Sequence, residues 1–356
     1  MPRTTGPYAV GTLLVHLVDE SREEQSTPKN PDDKRELMVQ LWYPADNRAG
    51  MQPGVVYPGF EIIQPIMEVG YPSYPTPHVY WDEIRGLVGN AVWNAPLLDT
   101  GWQYPLVIYS HGHTAWRHCN LSLLEELASH GYIVASIDHT YNAAAVLFPD
   151  GRVIVANGGM DVNLHAQDVR FVLDRLGVIP PGSDLGLFAG RLDLERAGVL
   201  GMSFGGDVMA KVMQTDTRFK AGAGLDGGTA SKCGRPVMFL WNTAYPGSPG
   251  LLEKNLLGGG YSCQIRDTTH IDFSNYPLWW KVFALPGKFS TSIAEDPIRI
   301  DRIISEYTLA FFNKMLKGQA TPLLSGPSRD YPEVDLTIIG NPHGLSGIRA
   351  AEWARY

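Results

Sequence analysis

Ser203 lies in the run Gly201, Met202, Ser203, Phe204, Gly205, after the apolar segment Ala197 to Leu200 and before Gly206 and the helical pattern DVMAKVMQ. A G-x-S-x-G between a strand and a helix is the setting in which a serine becomes an exposed nucleophile. The turn is tight enough that a side chain at either flanking glycine would clash. The serine is pressed into a strained backbone at the positive end of the following helix. Such a hydroxyl suits attack on an acyl carbonyl. At its own pKa it is a weak nucleophile, so the chain must also supply a base, usually an oriented histidine.

In this arrangement the chain order is serine, acid, histidine, with the histidine in a loop after the last strand. His270, in RDTTHIDFSN, follows the strand-like YSCQIRD and fits that place. His343 is the rival, in a Pro-rich tail with no helical pattern after it. The acid commonly follows a strand that here reads PVMFLWN, but that strand ends in Asn242 and the next carboxylate is Glu253. One strand earlier, GLDGG puts Asp226 among glycines at a strand's C-terminal end, where catalytic groups gather in parallel sheets. Asp267 and Asp272 stand too close to His270 along the chain to be the obvious orienters. Asp226 is the expected acid. An oxyanion hole needs backbone amides, and Phe204 should give one and His113 the other, with Gly112 letting its loop turn sharply. His111, His113 and His118 could also be read as metal ligands, but no acidic partner stands at a metallohydrolase-like spacing. Neither a metal nor a cofactor is expected.

The elements that must hold these residues alternate along the chain. Tyr8–Val18 and Glu36–Pro44 read as strands joined by a polar hairpin excursion, in which the acidic stretch Glu20 to Gln25 reads as a solvated loop. PLVIYS is a buried-strand run, Leu121–His130 a helix, YIVASIDH a strand and Asp161–Leu176 an amphipathic helix. After the serine turn come the strands FKAGAGLD, PVMFLWN and YSCQIRD, then a helix over about Ile300–Leu316. Strand and helix in alternation predict an α/β fold: a mostly parallel central sheet with helices on both faces, the α/β-hydrolase layout. At 356 residues the chain is expected to form a single domain. Two additions stand out. Residues 45–104 are a long excursion loaded with Pro, Gly and aromatics, among them Trp81, able to wall a pocket or to add core. The Pro- and Gly-rich tail from about 321 should wrap the surface. Trp279 and Trp280, close after His270, are tentative pocket residues.

With 44% hydrophobic and 19% charged residues the composition is that of a globular protein. The net charge of −8, with no basic run, leaves nothing to track phosphates, so no nucleic-acid partner is expected. Three scattered cysteines imply no disulfide framework. No apolar run approaches the roughly 18 residues of a membrane span. The N-terminus lacks the basic and apolar regions of a leader, so the cytoplasm is the expected compartment.

Four stretches, SHGHTAWRHCNLSLLEELASHGYIVASIDH, GMSFGG, GLDGG and HIDFSN, together resemble the plasma-type platelet-activating-factor acetylhydrolase family, over roughly residues 35 to 315. The resemblance implies an α/β hydrolase whose aspartate lies one strand early, with Ser203, Asp226 and His270 as triad and the amides of His113 and Phe204 as oxyanion hole. Met202 departs from the histidine often found before the serine. The expected activity is hydrolysis of short-to-medium acyl esters through an acyl-enzyme, the partner being a small-molecule ester. An acyltransferase, thioesterase or cyclase would use the same residues, and a binding protein on this scaffold would use none of them.

Overall fold

The computed structural model describes residues 1–30, 32–47, 50–70, 85–157, 159–228, 232–243, 254–282 and 294–340. Its frame is a ten-stranded sheet. β1 (Ala9–Glu23) and β2 (Lys34–Ala45) form the antiparallel hairpin. β3 (Ala91–Trp93) joins the outer side of β1 in parallel, so part of the aromatic-rich excursion extends the sheet. β4 (Tyr104–Ser110), β5 (Ile133–Asp138), β8 (Leu192–Met202), β9 (Phe219–Leu225), β10 (Val237–Asn242) and β11 (Gly260–Ile265) form the parallel centre. β12 (Val334–Ile339) closes the edge antiparallel to β11. Within the tail, residues Val334–Ile339 therefore add a strand to the sheet. The strand order is β12-β11-β10-β9-β8-β4-β5-β2-β1-β3. β6 (Ala145–Leu147) and β7 (Val153–Val155) make a separate small hairpin.

The alternation along β4 shows why helices cover both faces. Val107 and Tyr109 pack with α2 (Leu121–Ser129) and α6 (Pro297–Lys317). Leu106 and Ile108 point the other way, into the cluster of α3 (Val162–Gly177) and α4 (Phe204–Thr215). All seven residues of β4 are buried, as a strand covered on both faces requires. Asp161 caps α3 by accepting from the Asn163 and Leu164 amides. Two shorter helices are also described: α1 (Phe60–Gly70), within the excursion, and α5 (Tyr276–Val282). The expected solvated acidic loop is mostly strand, and its Glu24 is buried on the Arg35 guanidinium at 2.8 Å. This is the α/β-hydrolase fold.

Candidate active site

β4, β8, β9 and β11 all end at the same edge of the sheet, and the turns beyond them carry His113, Ser203, Asp226 and His270. At the β8–α4 turn Ser203 has φ +54° and ψ −122°, a region L-residues rarely occupy. A Cβ on Gly201 would collide with the Gly205 carbonyl oxygen, and one on Gly205 with that of Ser110. Both glycines are thus required by close backbone approach. Met202 is buried in the core.

His270 Nε2 lies 2.9 Å from Ser203 Oγ, and His270 Nδ1 lies 2.5 Å from Asp226 Oδ2. Asp226 follows β9 with φ +45°, a second strained residue. Its carboxylate is almost fully buried, while the imidazole is half-exposed. Asn242, at the end of β10 where sequence reasoning found no acid, donates to both Asp226 oxygens. Its backbone N–H reaches Oδ1 at 2.8 Å and its Nδ2 reaches Oδ2 at 2.7 Å. The strand end that lacks the acid holds the acid of its neighbour.

The His270 turn is pinned by polar groups. Thr269 and Asp272 form a capping box around it, so Asp272 serves the turn. Asn120 Nδ2 donates to the Phe273 carbonyl at 2.8 Å, and the Asn275 N–H to that of Cys119 at 2.7 Å.

On the other side of Ser203, the loop after β4 brings His113 and Gly112 against the serine. A Cβ on Gly112 would lie 3.1 Å from Ser203 Cβ, so this glycine serves close approach; the left-handed residue of the loop is Thr114, φ +53°. Asn142 Nδ2 donates to His113 Nδ1 at 3.0 Å. Among the described residues, neither the His113 nor the Phe204 N–H has an acceptor.

The histidines read as alternative metal ligands are occupied otherwise. His111 Nδ1 donates to the Gly112 carbonyl at 2.6 Å while its Nε2 accepts from the His139 N–H at 3.3 Å. Burial, with His139 beside it, pushes its pKa down to about 3. His118 meets Gln40 Oε1 at 2.8 Å. A different group among the described residues, His139, His165 and Asp168, has ligand-type atoms within 4.8 Å of one another.

The pocket residues fare unevenly. Trp81, the Trp280 side chain, His343 and Glu253 lie outside the described residues. Trp279 is half-buried on α5 with its ring edge-on to Tyr276 at 5.2 Å, and its described contacts do not reach Ser203. Two aromatics of the excursion, Tyr57 and Phe60, meet a partner that sequence reasoning did not single out. Trp116, on the same loop as His113, stacks on Phe60 of α1 at 5.8 Å and meets Tyr57 edge-on at 5.6 Å. The excursion is thereby docked on the loop beside the serine.

Residues 1–150 match the family described as platelet-activating factor acetylhydrolase, isoform II. A platelet-activating factor acetylhydrolase of Cavia porcellus is 25% identical over 364 residues, 89% of this chain and 78% of its own. A probable 1-alkyl-2-acetylglycerophosphocholine esterase of Arthroderma benhamiae is 24% identical over 392 residues, 94% of this chain and 92% of its own. The solved ferulic acid esterase from Streptomyces cinnamoneus is 30% identical with a TM-score of 0.78, covering 95% of this chain and 98% of that one. The chain belongs to the platelet-activating-factor acetylhydrolase-like family of α/β hydrolases. It is a carboxylic ester hydrolase. The family match ends before Ser203, Asp226 and His270 but includes the loop bearing His113 in this acetylhydrolase-like chain. No helix among its described residues is long and apolar enough to cross a membrane.

Proposed function

We propose that Ser203, His270 and Asp226 are the catalytic triad of this esterase and that it acts on short-to-medium acyl esters. The observation that carries the reading is the unbroken line from the Asp226 carboxylate through both nitrogens of His270 to Ser203 Oγ. Nδ1 donates to the carboxylate, which leaves Nε2 as the lone pair that accepts the serine proton. Ser203 Oγ attacks the acyl carbon, and the oxyanion takes up the N–H groups of His113 and Phe204. His270 returns the proton to the leaving alcohol, then draws one from water to release the acid. Asp226 keeps the tautomer and stabilises the imidazolium. The three cysteines are buried and free, in keeping with a reducing compartment, and we place the enzyme in the cytoplasm, as one domain.

Tyr57 and Phe60 are buried behind the half-buried Trp116 of the oxyanion loop, and we take this packed cluster as the wall of a closed acyl site. Each further methylene buried in an open groove gains about 0.8 kcal/mol, so kcat/KM would climb steadily with acyl length. A wall gives a maximum and then a fall. The test is a p-nitrophenyl ester panel from acetyl to palmitoyl, with a feruloyl ester beside it, and fluorophosphonate labelling of wild type and Ser203→Ala. The expected outcome is labelling of wild type only, and a maximum within about four to eight carbons. A smooth rise to palmitoyl overturns the size assignment, and an unlabelled wild type overturns the serine mechanism. A feruloyl ester turned over faster than every alkanoyl ester would assign the wall to an aromatic acyl group.

A further inference from the structure

The chain contains a second serine–histidine–aspartate line, wholly buried. His139 Nε2 lies 2.9 Å from Ser110 Oγ, and His139 Nδ1 lies 2.9 Å from Asp168 Oδ2. All three side chains are shut off from solvent, so no substrate reaches this serine. The Asp168 oxygens are already taken by cations. Arg35 Nη2 donates to Oδ2 at 2.6 Å and Nε to Oδ1 at 3.1 Å, and Arg22 Nη1 donates to Oδ1 at 2.9 Å. Two guanidinium groups on the carboxylate also oppose a metal ion between Asp168, His139 and His165.

The line leads instead to the two amides proposed above as the oxyanion hole. A carboxylate only accepts, so His139 Nδ1 carries the proton and Nε2 accepts from the Ser110 hydroxyl. That fixes the His139 ring and with it the backbone, whose N–H donates to His111 Nε2. His111 Nδ1 then donates to the Gly112 carbonyl. The Gly112 C=O and the His113 N–H belong to one planar peptide unit, so a donor on the carbonyl sets the direction of the amide hydrogen on the opposite side. The second amide is met from the other flank. The His165 ring lies 4.3 Å from that of His139 and 5.2 Å, edge-on, from that of Phe204.

We infer that the buried Ser110–His139–Asp168 line is a positioning device for the oxyanion hole, directing the His113 amide through His111 and the Phe204 amide through His165. The inference rests on the reading of those two amides given above. Its residues touch no substrate, and the effect falls on the transition state, where the oxyanion exists.

The test uses Ser110→Ala, which removes one hydroxyl, and His139→Leu, which cuts the line at its centre. Each is read by kcat, by KM and by the Ki of a trifluoromethyl ketone whose adduct mimics the oxyanion. Removing an oxyanion donor outright costs about 10²–10³-fold in kcat, so misaiming one should cost about 10-fold or more. The expected result is that loss with KM within about twofold and a parallel rise in the ketone's Ki. Unchanged kcat and Ki per fluorophosphonate-titrated serine in folded Ser110→Ala overturn the inference and leave the triad standing. If His139→Leu does not fold, Ser110→Ala decides alone. A wild type that fluorophosphonate fails to label overturns the triad and the inference together.

Discussion

Two serine–histidine–aspartate lines occupy one chain, and their serine–histidine distances are the same, 2.9 Å. Both also join histidine Nδ1 to a buried aspartate Oδ2, but their surroundings differ. Ser203 is held at positive φ on a strand–helix turn, whereas Ser110 is the last residue of an ordinary strand. The His270 side chain is 52% exposed and that of His139 1%. Asp226 is held by the two N–H donors of Asn242, a neutral clamp that leaves its charge facing the imidazole. Asp168 faces Arg35 and Arg22, and although burial pushes its carboxyl up, Arg35 and His139 hold it well below the usual range. Its charge is already balanced, so it adds little to an imidazolium. Residue types and distances therefore do not make a reactive site. The proposed triad differs in access, in a strained serine and, among the described residues, in amides without an acceptor and an acid with no guanidinium on it.

The largest effect that can break this contrast comes from exchanging the two aspartates for asparagine. Asp226→Asn should cost about 10⁴-fold in kcat while the protein stays folded, because the imidazole loses its useful tautomer. Asp168→Asn should act mainly on stability, by about 3 kcal/mol, since the buried Arg35 guanidinium loses one of its two carboxylates and keeps only Glu24, with no more than the roughly 10-fold kcat loss expected of the positioning line. Steady-state kinetics and thermal melts on both variants read the difference. A crossed outcome, with Asp168→Asn folded and dead and Asp226→Asn active, would reverse the roles assigned here.

A smaller effect sharpens the point about the neutral clamp. Asn242→Ala removes the side-chain donor and leaves the backbone one, so Asp226 keeps its place with one hydrogen bond fewer. The expected loss is about 10-fold in kcat, from one charge-assisted bond of about 1.5 kcal/mol. An Asn242→Asp variant should lose far more, because a second carboxylate would face the first. If both variants match wild type, the clamp is incidental.

Asn242 also shows what the sequence could and could not tell. The serine turn, the alternation of strands and helices and the early aspartate were all legible, because each rests on local chemistry: glycine spacing, hydrophobic period, a carboxylate at a strand end. The asparagine was read only as a missing acid, since its partner lies on the neighbouring strand. Ser110, His139 and Asp168 were invisible for the same reason, each looking like one more residue of a buried strand or helix. β12 was lost in a Pro- and Gly-rich tail, where a short edge strand buried only at its two ends leaves little signal. The Phe60–Trp116 stack needed the fold to bring an excursion back onto the oxyanion loop.

The smallest effect concerns acid. Burial pushes His111 down to about 3 and His165 to about 2, with His139 beside each as a further cause. His139 itself is lowered, chiefly by burial. Unfolded histidines take up protons near 6.5. The cluster's stability is therefore fully present above about pH 6.5 and is lost as pH falls below it, by about 1.4 kcal/mol per pH unit for each such histidine. Two buried acids oppose the trend. Burial raises Glu125 to about 7 and Asp301 to about 6, so these two favour the fold more as pH falls through the same range. A total melting curve mixes the two signs, and a difference between variants separates them. His165→Phe keeps a ring against His139 and Phe204 but cannot bind a proton. Its stability relative to wild type, from urea midpoints at pH 7.5, 6.5 and 5.5, should improve by about 1 kcal/mol per pH unit below 6.5 and hold constant above it. Parallel curves across the whole range would mean that the fold admits protons to the cluster, and that the contrast between a sealed line and an open one is weaker than the geometry shows.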